Sequence, residues 1–300
     1  MSWRTVVVTQ HAKISYSGHC LVVQTQTDTN QIPVSDIQVL LISTTRAVIS
    51  TAAISELAKN QVKIIFTDGK GEPITETVDY CPNNRDVQTL MKQIGWSEQR
   101  KNQLWTAVVK QKIANQIAVL QSLNQDVSEL QSELEQVGCN DSTNREAVVA
   151  KKYFPKLFDD EFNRRNADVI NAALNYGYSL LLSAMNREIV VAGYLTQLGI
   201  HHHSSENQFN LGSDLMEPFR PFVDMWVKLQ KFNELTPDVK YGLIDLLNLE
   251  IIFNGQHMII RNAITRYVKA CLNFLSEETN EIQIEVAASE VSYHEINGHV

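Results

Sequence analysis

The five residues YCPNN at positions 80–84 divide this sequence into two parts with different hydrophobic patterns. Before them, runs of β-branched and apolar residues such as Val6–Thr9, Cys20–Gln24 and Lys63–Thr67 alternate with turn-forming residues, which is typical of strands. After them, apolar residues recur at spacings of three and four, which indicates amphipathic helices. The sequence therefore predicts an α+β fold, in which a small N-terminal β domain precedes a larger all-α C-terminal domain.

The first part, residues 1–82, is predicted to be a β-rich domain that serves as a scaffold or a dimerisation surface. Two further strands and one short helix are expected at Asp36–Ser43, Ile74–Val78 and Thr51–Asn60, respectively. Either Ser50 or Thr51 is expected to cap this helix at its N-terminus, because both side chains carry a hydroxyl acceptor.

The second part, residues 83–276, is predicted to be helical nearly throughout. Helical segments are expected at Val127–Val137, Arg164–Gln197, Asp238–Leu249 and Ile259–Leu275. The last segment, residues 277–300, contains six glutamates and no Asp, Lys or Arg. This composition predicts a mobile acidic tail, although Ile282–Val286 within it is strand-like.

The chain of 300 residues has a formal net charge of −8, and most of this charge lies in the acidic tail. The rest of the chain is nearly neutral, so its composition is compatible with a local basic face for nucleic acid. The longest apolar runs are too short to span a membrane, and four widely separated cysteines form neither a zinc motif nor a disulfide framework. We therefore expect a reduced, cytoplasmic protein with no membrane association.

The segment GIHHHSSENQFNLGSDLMEPFRPF at residues 199–222 concentrates groups that bind metals. It contains three consecutive histidines at 201–203 and two carboxylates three residues apart, Asp214 and Glu217. Because Pro218 fits only the first turn of a helix, a helix is expected to begin between the two acids, which then share one side of its opening turn. Imidazole with carboxylate oxygens suits Mn²⁺ or Mg²⁺. Spacing alone, however, favours helix capping by the acids and a solvated histidine loop.

A third carboxylate, Glu146, stands in the segment DSTNREAVVAKKY at residues 141–153. Thr143 and Glu146 match the S/T-x-x-E capping box, and an apolar run follows them. In that arrangement the carboxylate folds back onto the start of its own helix and cannot bind a metal. The pattern alone favours this capping interpretation.

Several motifs, in the right order, resemble the CRISPR-associated integrase of the adaptation step, the "Cas-one" family, in a version close to that of type II systems. They are NREA and AKKYF within 144–154, NAALNYGYSLL at 171–181, NREIVVAGYLTQLGIHH at 186–202 and FNLGSDLMEPFRP at 209–221. The opening WRTVVV and the segment IIFTD also resemble the β domain of that family. The similarity extends from the N-terminus to about residue 275, and the acidic tail has no counterpart.

This resemblance implies a divalent-metal-dependent DNA endonuclease and integrase. Such an enzyme inserts short DNA segments (spacers) into a CRISPR array by attack of a 3′-hydroxyl on a phosphodiester. The resemblance implies Mg²⁺ or Mn²⁺ as cofactor and double-stranded DNA with 3′-hydroxyl ends as substrate. It also implies a homodimer and a small partner subunit ("Cas-two") that together form a heterohexamer, with the type II effector and accessory adaptation proteins as further partners.

The resemblance also assigns site residues by position. It gives Glu146, His202 and Glu217 as metal ligands and as catalytic residues, and it gives Asp214 as a further catalytic acid. The choice of the middle histidine rests on the G-x-x-H spacing that begins at Gly199.

Basic side chains near these positions could neutralise the phosphates of bound DNA. The candidates are Arg165, Arg220, Arg145 and Lys152. For any single one of them, a solvated helix face or an ion pair with a neighbouring acid is the commoner role.

Two other functions are compatible with the residues alone. One is a non-catalytic, helical, dimeric scaffold that binds DNA or partner proteins and uses its acids only as helix caps. The other is a metal hydrolase for small phosphoesters, although the HExxH, HD and GxxxxGK[ST] motifs are absent from the sequence.

Overall fold

The structure, a computed structural model, describes residues 4–69, 73–77 and 87–288. The chain divides into two compact units, Met1–Asn84 and Arg85–Val300. The first unit contains most of the strands and the second is mostly helical. The α+β class predicted from the sequence is therefore confirmed.

The first unit forms two four-stranded sheets in its described residues, with the strand orders β1-β5-β7-β8 and β4-β3-β2-β6. Its elements are β1 (Arg4–Val8), β2 (Lys13–Ser17), β3 (Cys20–Gln24), β4 (Thr29–Pro33), β5 (Ile37–Ile42), β6 (Val48–Ile49), α1 (Thr51–Lys59), β7 (Lys63–Thr67) and β8 (Pro73–Glu76). The strands β1, β5 and β7 are parallel to one another, and β8 is antiparallel to β7.

The predicted strands of this unit correspond to β1, β3, β5, β7 and β8, whereas β2, β4 and β6 were not predicted. The strand β4 has the sequence TNQIP, whose low apolar content carries no strand signal, and its pairing with β3 determines its conformation. The hydroxyl of Ser50 accepts the N–H of Ala53, so Ser50 caps α1. A common core includes the fully buried Ile14, Leu40 and Leu57.

The second unit consists of nine α-helices and one small sheet in its described residues. The helices are α2 (Val87–Ile94), α3 (Glu98–Ser122), α4 (Ser128–Glu135), α5 (Arg145–Leu157), α6 (Val169–Val191), α7 (Asn210–Leu215), α8 (Arg220–Leu229), α9 (Pro237–Asp245) and α10 (Ile260–Leu275). The strands are β9 (Glu250–Phe253), β10 (Gln256–Ile259) and β11 (Val286–Ala288). None of the described helices is long and apolar enough to cross a membrane.

Helix α3 lies at the centre of this unit. It spans 25 residues and packs against α4, α5, α8 and α10. Its buried residues include Leu104, Trp105, Val108 and Ile113, which follow the three- and four-residue spacing of an amphipathic helix. The central position means that a polar side chain on its buried face meets several other helices.

The small sheet corrects the prediction that the second domain is entirely helical. Its strand order is β10-β9-β11, and the hairpin between β9 and β10 turns at Asn254 and Gly255, both of which have positive φ. The strand β11 comes from the segment predicted to be a mobile tail, and its Val286 is completely buried. In the described part of the tail, pairing with β9 therefore gives residues 286–288 a strand conformation despite the acidic composition of the segment. Residues 289–300 lie outside the described residues.

The helix expected to begin between Asp214 and Glu217 is also corrected. Asp214 lies near the end of the short helix α7, and Glu217–Phe219 form a single 3-10 turn that leads into α8. The two acids therefore belong to different elements. Pro218 does occupy an opening turn, as expected, but the turn is the 3-10 turn.

Candidate active site

Glu146 lies in the first turn of α5 and does not form the predicted capping box. The backbone of Asn144, just before the helix, is left-handed with φ of 54°. The carboxylate of Asp141 accepts the N–H groups of Arg145 and Glu146 at 2.7 and 3.0 Å. Because Asp141 caps the helix, the carboxylate of Glu146 remains available for contacts outside its own helix.

Asp214 holds the histidine loop instead of capping a helix. Its side chain is completely buried, and Oδ2 accepts the backbone N–H groups of Ile200 and His201 at 2.7 and 3.0 Å. Oδ1 accepts the N–H of His202 at 3.1 Å and the ring Nδ1–H of the same residue at 2.5 Å. These contacts satisfy a buried carboxylate and fix both the backbone and the ring of His202.

Gly199 permits this close arrangement. A Cβ atom on Gly199 would overlap the carbonyl oxygen of His202 and would lie 2.7 Å from Asp214 Oδ2. The G-x-x-H element therefore has a steric cause in the structure, because only glycine leaves space for the loop to close over Asp214.

The three histidines have different surroundings. The ring of His201 stacks flat on the buried Trp105, with 4.1 Å between ring centroids, whereas His203 lies in the field of Glu98. The hydrogen bond from His202 to Asp214 raises the pKa of His202, and the charges of Asp214, Glu217 and Glu146 raise it further against partial burial. His202 therefore lies in the electrostatic field of both predicted ligand carboxylates, Glu146 and Glu217.

Lys112 of α3 joins those two carboxylates. Its side chain is only 6% exposed, and its Nζ lies 2.5 Å from Glu146 Oε1 and forms a second ion pair with Glu217 Oε2. Glu217 Oε2 is buried, and the ammonium of Lys112 compensates its charge. The structure therefore brings Glu146 and Glu217, which are 71 positions apart in the sequence, into contact with one cation.

Arg220 holds the other oxygen of Glu217. Its Nη1 donates to Glu217 Oε1 at 2.8 Å, and its guanidinium lies 4.2 Å from the centre of the Tyr178 ring. Burial opposes ionisation of Glu217, but Arg220 and Lys112 outweigh it and hold the pKa of that carboxyl below its ordinary value.

Tyr178 extends this network into the core. Its hydroxyl donates to Oδ1 of Asp224, which is almost completely buried in α8. Burial raises the pKa of Asp224 to about 6, although the Tyr178 hydrogen bond and the Arg220 charge oppose the shift. Tyr178 is thus buried in the helical core and supports Arg220.

The side chains proposed for DNA phosphates have mixed surroundings. Arg145 and Lys152 both pair with Glu133, at 2.7 and 2.9 Å, and Arg220 pairs with Glu217. For these three the structure favours the ion-pair role over a free phosphate contact. Arg165 is exposed and stays a candidate.

Sequence reasoning missed Lys112, Trp105 and Asp141 as parts of the site. Lys112 did leave a signal, because it lies three residues after Val109 and directly before Ile113, at a core-facing position where lysine is uncommon. Asp141 and Trp105 gave no signal in the sequence. An acid near a helix start and a tryptophan on an apolar stripe are ordinary in any helical protein.

The donor set fits a divalent metal ion. Two carboxylates and one imidazole match the preference of Mg²⁺ or Mn²⁺ for oxygen ligands with a borderline nitrogen, and Asp214 orients His202 as carboxylates commonly orient metal-binding histidines. In the part of the chain that the structure describes, no three such side chains are grouped closely enough to hold a metal as they stand. The ammonium of Lys112 lies between the two carboxylates.

A family model described as "CRISPR associated protein Cas1" matches residues 5–238. The chain belongs to the Cas1 family. It is 33% identical over 279 residues to a CRISPR-associated endonuclease Cas1 from Neisseria meningitidis serogroup C, covering 90% of this chain and 91% of the relative. It is 25% identical over 280 residues to a CRISPR-associated endonuclease Cas1 from Francisella tularensis subsp. novicida, covering 83% and 88%. The family resemblance of the sequence motifs is confirmed, and the closeness to type II systems stays a prediction.

Solved structures share the fold of this Cas1-family chain. A casposase bound to its integration product superposes with a TM-score of 0.79 at 20% identity, covering 96% of this chain and 95% of the other. A Cas1 protein from Thermotoga maritima superposes with a TM-score of 0.71 at 15% identity, covering 92% and 97%. At these identities the likeness concerns the fold, which extends over nearly the whole chain in both cases.

Proposed function

We propose that this Cas1-family chain is a divalent-metal-dependent DNA integrase and endonuclease that inserts spacers into a CRISPR array. The observation that carries the proposal is that Lys112 joins Glu146 on α5 to Glu217 before α8. His202, on a loop held by Asp214, lies in the electrostatic field of both carboxylates. Relatives named as Cas1 endonucleases and a casposase with the same fold support the same chemistry.

The proposed reaction is phosphoryl transfer, in which a DNA 3′-hydroxyl attacks a phosphodiester and another 3′-oxygen leaves. A bound Mg²⁺ or Mn²⁺ would stabilise the charge that develops on the phosphoryl oxygens. Glu146, Glu217 and His202 would hold that ion. Since a carboxylate can only accept, Asp214 keeps the ring proton on Nδ1 of His202 and leaves the lone pair on Nε2.

The other parts of the site serve to position these groups. Arg220, fixed over Tyr178, holds Glu217 Oε1, and Asp141 fixes the start of the helix that carries Glu146. Burial of Asp214 keeps water away from the hydrogen bonds of the histidine loop. Such preorganisation places charged groups before the substrate arrives and reduces reorganisation during the reaction.

Substrate and partners follow from the same proposal. The substrate is double-stranded DNA with 3′-hydroxyl ends, and Arg165 is a candidate phosphate contact. We propose a homodimer that binds a small Cas2-type subunit as a heterohexamer in the cytoplasm, together with the effector and accessory proteins of adaptation. A solved Cas6-RT-Cas1–Cas2 complex contains a chain of this fold, with a TM-score of 0.75, which supports the partnership with the small subunit.

The test is strand transfer of a short duplex with free 3′-hydroxyl ends into a supercoiled plasmid that bears a CRISPR repeat. Wild type and His202→Ala are compared with Mn²⁺ and with EDTA, in the presence of the small partner subunit. His201→Ala and His203→Ala serve as matched controls, because they remove neighbouring imidazoles of the same loop.

We expect Mn²⁺-dependent joining by wild type and by His203→Ala, and loss of joining in His202→Ala. Loss in His201→Ala or His203→Ala, with activity retained in His202→Ala, would instead move the ligand to a neighbouring histidine. If folded wild-type protein binds DNA and the partner but joins no ends, the non-catalytic scaffold becomes the better interpretation.

A further inference from the structure

Lys112 is a buried cation on the inner face of helix α3. It lies three residues after Val109 and directly before Ile113, both of which are fully buried, and its side chain is only 6% exposed. A buried ammonium is costly unless anions compensate it. Its presence on the central helix α3 therefore needs an explanation beyond packing.

The anions that compensate Lys112 are the two acids proposed as metal ligands. Its Nζ lies 2.5 Å from Glu146 Oε1 and adjacent to Glu217 Oε2, so a single positive charge lies between the carboxylates. A metal ion that binds both carboxylates needs the same space and the same negative charge. Because like charges repel strongly in a poorly solvated site, the ammonium and the metal exclude each other.

The two cations that contact Glu217 differ in their freedom to move. Arg220 is held over the ring of Tyr178, and its planar guanidinium hydrogen-bonds Glu217 Oε1. Lys112 is a compact charge at the end of a flexible four-carbon chain, and among the residues that the structure describes its ammonium reaches Glu217 Oε2 without a stacking ring of the kind that fixes Arg220. Lys112 is therefore the cation that can leave when a metal binds.

We propose that Lys112 is a built-in counter-ion that holds Glu146 and Glu217 in the metal-free protein and must be displaced for a divalent metal to bind. The proposal rests on the proposed function, because it takes both carboxylates as metal ligands. Lys112 thus sets the affinity of the site for metal. It stabilises the two acids when no metal is bound and weakens metal binding by the cost of its own displacement.

The experiment measures Mn²⁺ binding to the DNA-free protein by isothermal titration calorimetry. Lys112→Met keeps a long side chain and removes the charge, whereas Lys112→Arg keeps the charge. Lys110→Met is the matched control, because Lys110 is exposed on the same helix. The melting temperature of each protein is recorded with and without Mn²⁺.

We expect Lys112→Met to bind Mn²⁺ roughly tenfold more tightly than wild type, because the metal no longer displaces a cation from its ion pairs. We expect no such tightening in Lys112→Arg or Lys110→Met. Without metal, Lys112→Met should melt at a lower temperature than wild type, and Mn²⁺ should raise its melting temperature by more than it raises that of wild type.

Equal or weaker Mn²⁺ binding by folded Lys112→Met overturns the proposal. Replacement of a purely structural lysine would lower the melting temperature without raising the affinity for Mn²⁺. If Lys112→Met does not fold, Lys112→Gln gives the same test, because its neutral amide can still donate to the carboxylates. Mn²⁺ binding that is lost in His202→Ala but unchanged in Lys112→Met overturns this inference alone. Absence of Mn²⁺ binding by wild type overturns both this inference and the metal site of the proposed function.

Discussion

Asp214 fixes His202 twice, because one carboxylate oxygen accepts both the backbone N–H and the ring Nδ1–H of that residue. The other oxygen accepts two further N–H groups of the same loop. A carboxylate at the end of one short helix therefore determines the position of an imidazole twelve residues earlier. This relationship explains why an acid that matches the family motif need not contact a metal itself.

Replacement of Asp214 tests this orienting role. We expect Asp214→Asn to weaken Mn²⁺ binding and strand transfer by about 10- to 100-fold, since the amide can no longer accept all four hydrogen bonds or hold the Nδ1–H tautomer. Calorimetry and the plasmid-joining assay measure the two effects. The exposed Asp160→Asn is a matched control that should leave both unchanged. Wild-type Mn²⁺ affinity in folded Asp214→Asn would contradict the role.

Glu146 and Asp141 have separable roles at the start of α5. We expect Glu146→Gln to abolish strand transfer and to lower the free energy of unfolding by about 1–2 kcal/mol, because Lys112 loses one of its two compensating charges and not because a helix cap is lost. Asp141→Ala should lower the free energy of unfolding by about 1–2 kcal/mol, because two N–H groups lose their acceptor. Urea unfolding and the joining assay distinguish the variants.

The opposite result would support the capping-box interpretation of Glu146. If Glu146→Gln were strongly destabilised and still joined DNA ends, the carboxylate would act as a helix cap. Thr143→Ala is a useful companion variant, since the capping-box interpretation predicts that it destabilises α5. The observed contacts of Asp141 predict only a small effect.

Gly199 should tolerate no side chain. We expect Gly199→Ala to reduce strand transfer by at least about tenfold, because a Cβ there would overlap the His202 carbonyl and press on Asp214 Oδ2. Gly138→Ala is the matched control, since the nearest atom to a Cβ at that position is 3.9 Å away. Equal activity of the two variants would show that the loop can shift without consequence.

The buried Asp224 should make stability depend on pH. Burial raises its folded-state pKa to about 6 from an ordinary value of 3.8, so the folded protein holds a proton that the unfolded chain releases between these values. The contribution of Asp224 to stability is therefore largest at low pH and is lost as the pH rises through this window. Asp224→Asn has no carboxyl group at this position to titrate, so it does not lose stability for this reason as the pH rises.

We expect the free energy of unfolding of Asp224→Asn, relative to wild type, to rise by on the order of 2–3 kcal/mol between about pH 4 and pH 7. Urea unfolding at several pH values measures the difference. Asp160→Asn should show no comparable trend, because that side chain is exposed. A pH-independent difference for Asp224→Asn would refute the raised pKa.

Part of the site could be read from the sequence, and part could not. The motif NREA predicted Glu146 as a site residue, and G-x-x-H with the DLMEPFR segment predicted His202, Asp214 and Glu217, because these short patterns carry the family resemblance. The local interpretations of the same acids as helix caps were wrong. Capping patterns depend on backbone conformation, and the left-handed Asn144 and the burial of Asp214 are set by tertiary contacts.

The sequence by itself determined the order of a β-rich part and a helical part, most helix positions and the family. Periodicity and motifs are local properties, so a single chain displays them. Only the tertiary structure decided that Lys112 lies between Glu146 and Glu217, that Val286 completes a sheet with β9, and that Asp214 holds the histidine loop. These contacts join residues far apart in the chain. Each of them is strong because it is buried, and burial exists only after the chain has folded.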